Sequence, residues 1–204
     1  MFGRNRKPRP IVDLDMPALG DEWYYVEVDR GAEWAEELAR TIATTPEDRG
    51  SLAADLEIVA QSQAALAAQG AGSWVLLRPD APGRSIATMT YGVSEAGDTT
   101  PDAYEQMLAS DEGHREPGVR IDQVRTWQVS IAAGVAVGAF NLLSVSDLVA
   151  DGVMSQARTL FGVFPTGSSD VVEIGFTTDE IDQFDDFVTL TQGYVDSLVV
   201  ELAK

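Results

Sequence analysis

The stretch Val129–Val145, VSIAAGVAVGAFNLLSV, is the longest apolar run in the chain, and it restricts the fold more than any other feature. It is shorter than the roughly 20 residues that a membrane helix needs. Gly134 and Gly138 interrupt it, and Ser130, Asn141 and Ser144 place polar groups along it. Upstream, Trp127, Val129 and Ile131 alternate with Gln128 and Ser130, the period of two that belongs to a half-buried strand. Two strands, Arg120–Ile131 and Val135–Ser144, are therefore expected to turn near Ala133–Gly134. A sheet, and not a membrane span, organises this half of the chain.

Further strands follow from similar patterns. Trp23–Val28 is aromatic and β-branched and lies between Gly20-Asp21 and Asp29-Arg30-Gly31, which suits a first strand. Trp74–Leu77 and Ser85–Val93 flank a connection rich in Pro and Gly, Arg78–Arg84, and read as a hairpin. Gln156–Phe164 and Val171–Thr177 flank Pro165–Asp170 and read as another.

Helices fall between these runs. Trp34, Leu38 and Ile42 recur every four residues before Thr44-Thr45-Pro46, giving a helix Ala32–Ala43 that the proline ends. Ser51–Gln69 is alanine-rich, carries Leu52, Leu56, Val59 and Leu66 near one stripe, and meets Gly70 where a helix C-terminus favours it. Thr100-Pro101 has the form of an N-cap followed by proline at the first helical position. The segment Asp179–Leu202 reads as one long terminal helix. Thr177 and Glu180 have capping-box spacing, and Ile181, Phe184, Val188, Thr191, Val195, Leu198 and Leu202 form its stripe.

No repeat, low-complexity block or long linker divides the chain. The expected architecture is α+β: a single domain over residues 11–204, with an antiparallel sheet of about six or seven strands flanked by helices. Residues 1–10 precede it as a basic flexible tail.

Several stretches resemble actinobacterial Mog/PsbP-like proteins of unknown function. The resemblance is carried by Leu160-Phe161-Gly162-Val163-Phe164-Pro165, by Val171–Thr178 and by the terminal helical pattern. The turn Ile131–Val137 is also similar, although Ala132-Ala133 stand where that family usually has Pro and Ala. The opening Trp23–Ala43 looks like the family's strand followed by a Trp-bearing helix. These are apolar, turn and cap residues that record a fold and not a site. The resemblance implies an α/β/α sandwich. The wider fold includes photosystem extrinsic proteins, mycobacterial lipoproteins and a Ran-binding import factor, which makes interaction a better expectation than catalysis.

Composition narrows the chemistry. With no Cys and one His, thiolate nucleophiles, disulfides and cysteine metal sites are excluded, and any imidazole mechanism rests on His114. Arg4, Arg6, Lys7 and Arg9 lie in the first ten residues, leaving ten of the 14 basic residues to face all 33 acidic ones. So acidic a body repels phosphate backbones and anionic headgroups, and nucleic acid is not expected to bind the globular body. No apolar run follows the basic segment as an export signal requires, so a cytoplasmic location is expected. No nucleotide-binding, EF-hand or nucleophile-elbow motif occurs, and neither a cofactor nor a bound metal is expected.

Three features remain as candidates. Asp179, Glu180, Asp182, Asp185 and Asp186 crowd the expected start of the last helix, where the helix dipole favours carboxylates. No Lys or Arg occurs between Arg158 and Lys204. This one-signed surface suits a basic protein partner, and a non-enzymatic interaction or accessory module is the leading expectation. The alternative is a small-molecule-binding or hydrolytic protein with its pocket between sheet and helices and His114 paired with an acid. Finally, Trp23, Tyr24 and Tyr25 stand in succession on a strand, so at least one must face away from the main core, as packing cover or as a binding platform.

Overall fold

The computed structural model describes residues 8–110, 118–147 and 152–204. A seven-stranded antiparallel sheet forms the centre of the fold. Its strands in chain order are β2 (Trp23–Tyr25), β3 (Gly72–Leu76), β4 (Ala87–Glu95), β5 (Val119–Ser130), β6 (Gly134–Asp147), β7 (Gly152–Pro165) and β8 (Asp170–Thr178). In space they are ordered β2-β3-β4-β8-β7-β6-β5. Both long hairpins expected from alternation are present, and β6 and β7 pair from Gly134↔Pro165 to Asp147↔Gly152. The connection expected between them is thus mostly strand.

Helices cover both faces. On one face lie α1 (Gly31–Ile42), α2 (Pro46–Ala67) and α3 (Pro101–Ala109). Trp34, Ala35 and Ala39 of α1 and Leu52, Leu56, Val59 and Ala60 of α2 close on Val26, Val75 and Leu77. Further along the same face, Tyr104 and Leu108 of α3 cover Val137 and Ala139 of β6. A Cβ at Gly162 would collide with the Tyr104 ring, so only glycine lets α3 approach β7 this closely. The opposite face carries α4 (Phe187–Asp196) on Phe161, Ile174, Phe176, Met89 and Ala136. Helical layers on both sides make the domain the expected α/β/α sandwich.

Two helix starts follow from capping chemistry. The Thr100 hydroxyl accepts from the Ala103 amide at 3.2 Å, with Pro101 next, as expected. Helix α2 begins five residues earlier than the alanine-rich run: the Thr45 hydroxyl accepts from the Asp48 amide at 3.1 Å, and Pro46 is its first helical residue. The proline that ends α1 therefore also begins α2. The strand expected over Trp23–Val28 is shorter: β2 ends at Tyr25, and after one more contact with β3, the Val26 amide on the Ser73 carbonyl at 2.9 Å, the chain turns toward α1.

The terminal segment departs most from its sequence pattern. Asp179–Leu202 is not one helix. A 3-10 turn at Ile181–Gln183 is followed by extended backbone at Phe184, then by α4, and the chain ends in β9 (Val199–Leu202). Strand β9 pairs antiparallel with β1 (Ile11–Asp15), in the register Leu14↔Val200 and Asp15↔Val199. The expected Thr177 capping box does not form. Instead the Thr178 hydroxyl accepts from the Glu180 amide at 3.0 Å and donates to the Ile86 carbonyl at 2.7 Å, which ties the chain to the sheet and turns it before a helix can propagate. Asp186 then opens α4 afresh. The β-branched pair Val199-Val200 favours a strand once β1 supplies a partner. Leu198, Val200 and Leu202 share the inner side of the chain, and because Leu198 and Leu202 are four apart they satisfy helical spacing as well as strand alternation.

Candidate functional site

The five acidic residues expected to form a helix face occupy the connection between β8 and α4, and they divide by role. The Asp186 carboxylate accepts from the Thr189 amide at 2.9 Å and from its hydroxyl at 2.6 Å. These hydrogen bonds hold its carboxyl below the usual carboxylate range. Glu180 pairs with Arg84 at 2.5 Å. Asp179, Asp182 and Asp185 are exposed. With no helix running through Asp182–Asp186, the spacing of three and four that would align Asp182, Asp185 and Asp186 is lost.

Two arginines from the β3–β4 connection hold this segment in place. Arg78 donates from Nη1 to the Gln183 carbonyl at 2.8 Å, and its guanidinium lies 5.0 Å from the centre of the Phe184 ring. Phe184 in turn meets Phe187 edge-on at 4.9 Å. With Arg84 on Glu180, the three exposed carboxylates are carried on backbone fixed at several points. The role of Arg78 and Arg84 was invisible in the sequence, where both belong to a Pro/Gly-rich turn.

Among the basic residues of the N-terminal segment, Arg9 is described. Its amide donates to the Gly167 carbonyl at 3.0 Å and its Nη1 to the Ala203 carbonyl at 3.1 Å, laying this part of the chain against the β7–β8 turn and the C-terminus. Arg4, Arg6, Lys7 and His114 lie outside the described residues. Among the described residues, no group of three or more His, Asp or Glu side chains converges as a metal centre would require.

Alternation separates the three consecutive aromatics. Tyr24 packs toward α1 and α2, whereas Trp23 and Tyr25 point to the α4 face, opposite Leu76 and Trp74 in register. Trp23 meets Phe176 and Tyr194 edge-on at 6.0 and 5.9 Å. Tyr25, Trp74 and Tyr91 form a ladder across three strands, with centroid separations of 5.2 Å at each step. A Cβ at Gly72 would sit 2.7 Å from Tyr91 and 2.9 Å from Trp74, so glycine lets the two rings meet. Beside this ladder β1 and the residues after it border a half-open pocket of about 260 Å³, lined by Trp23, Trp74, Tyr91, Leu14, Met16 and Asp15 among others. Trp74, Tyr91 and Asp15 carry no local signal of a shared site. Only strand register and the pairing of β1 with β9 unite them.

A second depression lies on the other face between α2 and α3, where β4 and β8 present Thr90, Gly92 and Gly175 as a floor. It measures about 430 Å³. There the Tyr104 hydroxyl donates to Glu173 at 3.0 Å, and Ser94 donates to the same carboxylate at 3.3 Å. Burial, with Glu173's negative charge beside it, pushes the Tyr104 phenol above its ordinary pKa, so the phenol remains a proton donor and is not a ready base. This depression is an open trough between the sheet and the two helices.

No helix among the described residues is long and apolar enough to cross a membrane. No protein-family model matches the chain, and none of the curated proteins does. Among solved structures, the chain is similar to the crystal structure of LpqN, which is involved in cell envelope biogenesis of Mycobacterium tuberculosis. The two are 15% identical with a TM-score of 0.44, over 96% of this chain and 87% of that one. A likeness at that level carries no functional reading.

Proposed function

We propose that this protein is a non-enzymatic interaction module of the Mog/PsbP-like type, and that it engages a basic protein partner through Asp179, Asp182 and Asp185. The supporting observation is that these exposed carboxylates sit on a connection anchored by Arg78, Arg84 and Thr178. A fixed array of like charges loses little conformational entropy on binding. It also draws a cationic surface by long-range attraction that weakens as salt rises. The remaining two acids of the segment serve the fold, Glu180 as the partner of Arg84 and Asp186 as the cap of α4.

An arginine-rich synthetic peptide tests this reading by calorimetry at low and at moderate salt. Binding is expected to weaken steeply with salt, and to weaken in the variant carrying Asp179→Asn, Asp182→Asn and Asp185→Asn. A control carrying Glu36→Gln, Glu47→Gln and Asp98→Asn removes the same charge from other exposed positions. Equal loss in both variants, or no salt dependence, would show that net charge alone acts or that the peptide is held elsewhere, and would overturn the assignment of the segment.

A further inference from the structure

The seven-stranded sheet ends on one side in β2, three residues long, and on the other in β5, twelve residues long. No described strand pairs with the outer side of β5, and an open edge of that length is a template for another strand. At the hairpin that joins β5 to β6, the Ile131 and Gly134 backbones exchange both hydrogen bonds, at 2.9 and 3.2 Å. That pair fixes the phase of the ladder. Ser130, Gln128, Thr126 and Val124 stand opposite Val135, Val137, Ala139 and Asn141, in the positions whose N–H and C=O groups point away from β6. A bulge between Ile121 and Gln123 ends the regular edge, so Gln123–Ser130 is the stretch open to a partner. Its charges set it apart as well: β5 carries Arg120, Asp122 and Arg125, two bases and one acid, in a chain of net charge −19. The Arg125 guanidinium lies 5.6 Å from the centre of the Trp127 ring, which donates to Gln192 of α4, so this charge is folded over the α4 face of the sheet.

We propose that this edge pairs antiparallel with the same edge of a second copy of the chain, joining two sheets across a two-fold axis at Thr126. Outward groups then meet outward groups. Thr126 faces its own counterpart, and Val124 faces Gln128 of the second copy on either side of the axis, which closes about six backbone hydrogen bonds. On the α4 face each Arg125 stands opposite Trp127 of the second copy, a cation beside an indole. An axis at Arg125 would instead bring two like charges face to face, which is unfavourable. The charge pattern selects the occupant. A strand rich in Lys or Arg meets Arg120 and Arg125, and a strand rich in Asp or Glu meets the acidic body around them, whereas β5 brings both signs to answer its own. Such an interface is isologous, so it covers both open edges and closes at two copies. It is separate from the acidic β8–α4 connection and does not depend on the function proposed for that segment.

Sedimentation equilibrium of the full chain over a wide concentration range tests the proposal. A reversible monomer–dimer equilibrium without larger species is expected. It should tighten as salt rises, because salt screens the repulsion between two bodies of charge −19. Peptide binding at the acidic connection is expected to change with salt in the opposite sense, so the two readings fail separately. Thr126→Pro removes a donor that points outward, a position where an edge strand tolerates proline, and the dimer should be lost while the urea midpoint of the monomer is kept. Arg125→Glu, at an exposed position, serves if the proline variant does not fold, and should weaken the dimer on the order of tenfold. A nitroxide on Ser130→Cys, in a chain that has no other thiol, reports the register. The two labelled backbones should lie about 27 Å apart, given the rise per residue of an extended strand on each side of Thr126. A monomer at every concentration, a dimer that weakens with salt, a dimer unchanged in folded Thr126→Pro or in Arg125→Glu, or a label separation incompatible with the Thr126 axis would overturn the assignment.

Discussion

The two faces of the sheet are built from different parts of the chain and by different means. Beneath α1 and α2 the core comes from one continuous segment between Val26 and Leu77, and it is mainly aliphatic: Ala35, Ala39, Ala43 and Ala60 pack among Leu52, Leu56 and Val59, with Trp34 its one buried aromatic ring. Beneath α4 the core is aromatic. Phe161 and Phe176 meet edge-on at 6.3 Å, Phe176 stacks with Tyr194 at 5.8 Å, and Trp127 packs on Phe161 at 5.8 Å. Residues from β1 near the start of the chain and from β9 at its end close that second face. A local face can be assembled by two adjacent helices with short loop closure, whereas the other requires contacts nearly the length of the chain apart. Both candidate sites described here involve the non-local face or its connections.

The strongest test of this contrast replaces one fully buried residue on each side. Phe176→Ala is expected to cost about 3–5 kcal/mol and Leu56→Ala about 2–5 kcal/mol, as measured by urea denaturation. Phe176 touches three aromatic partners, so the larger loss should fall on its side. A greater loss for Leu56→Ala would break the view that the aromatic face carries the heavier share of stability.

A smaller and more local effect probes the closure of the chain ends. Val200→Pro removes a possible ladder donor from β9 and constrains its backbone. Loss of one hydrogen bond is worth about 1 kcal/mol, so amide exchange in Ile11–Asp15 should accelerate about fivefold while α1 and α2 keep their protection. Unchanged exchange in β1 would contradict the observed pairing and would favour a helical C-terminus.

An effect of similar size concerns pH and the trough between α2 and α3. Tyr104 has its phenol pKa raised in the fold, first by burial and then by Glu173, from an ordinary value of 10.0. The neutral phenol's stabilising contribution is therefore complete below about pH 10 and declines as pH rises beyond it, because the unfolded chain ionises first. Tyr104→Phe should flatten that alkaline decline, at a cost near neutral pH of about 1 kcal/mol for the lost hydrogen bond. Denaturant midpoints taken between neutral and alkaline pH measure both, and an unaltered alkaline slope would place the sensitivity elsewhere.

Much of the sheet was legible because period-two alternation in Trp127–Ile131 and the turn residues after Phe164 act over a few residues. The caps at Thr100 and Asp186 belong to the same local chemistry, although Asp186 was read as a surface charge instead of a helix start. The terminal segment misled for a definable reason. Val195, Leu198 and Leu202 satisfy helical spacing, yet Leu198 and Val200 also suit a strand, and only β1 distinguishes the two. The acidic residues could be found from sequence, but not the division that ties Glu180 and Asp186 to structural partners. Of the run Trp23-Tyr24-Tyr25 only Trp23 lines the aromatic cavity, and Trp74, Tyr91 and Asp15 carried no local signal of it.

The sequence by itself determined the α+β class, the long hairpins, most helices, the lack of thiol chemistry and the strongly acidic body. Each of these follows from composition or from interactions within a few residues along the backbone. Tertiary structure decided which aromatic rings share a cavity, that Glu180 and Asp186 are tied to structural partners, and that the last residues form a strand. Those outcomes depend on hydrogen bonds and packing between segments far apart in the chain, where the free energy of a distant partner overrides local preference.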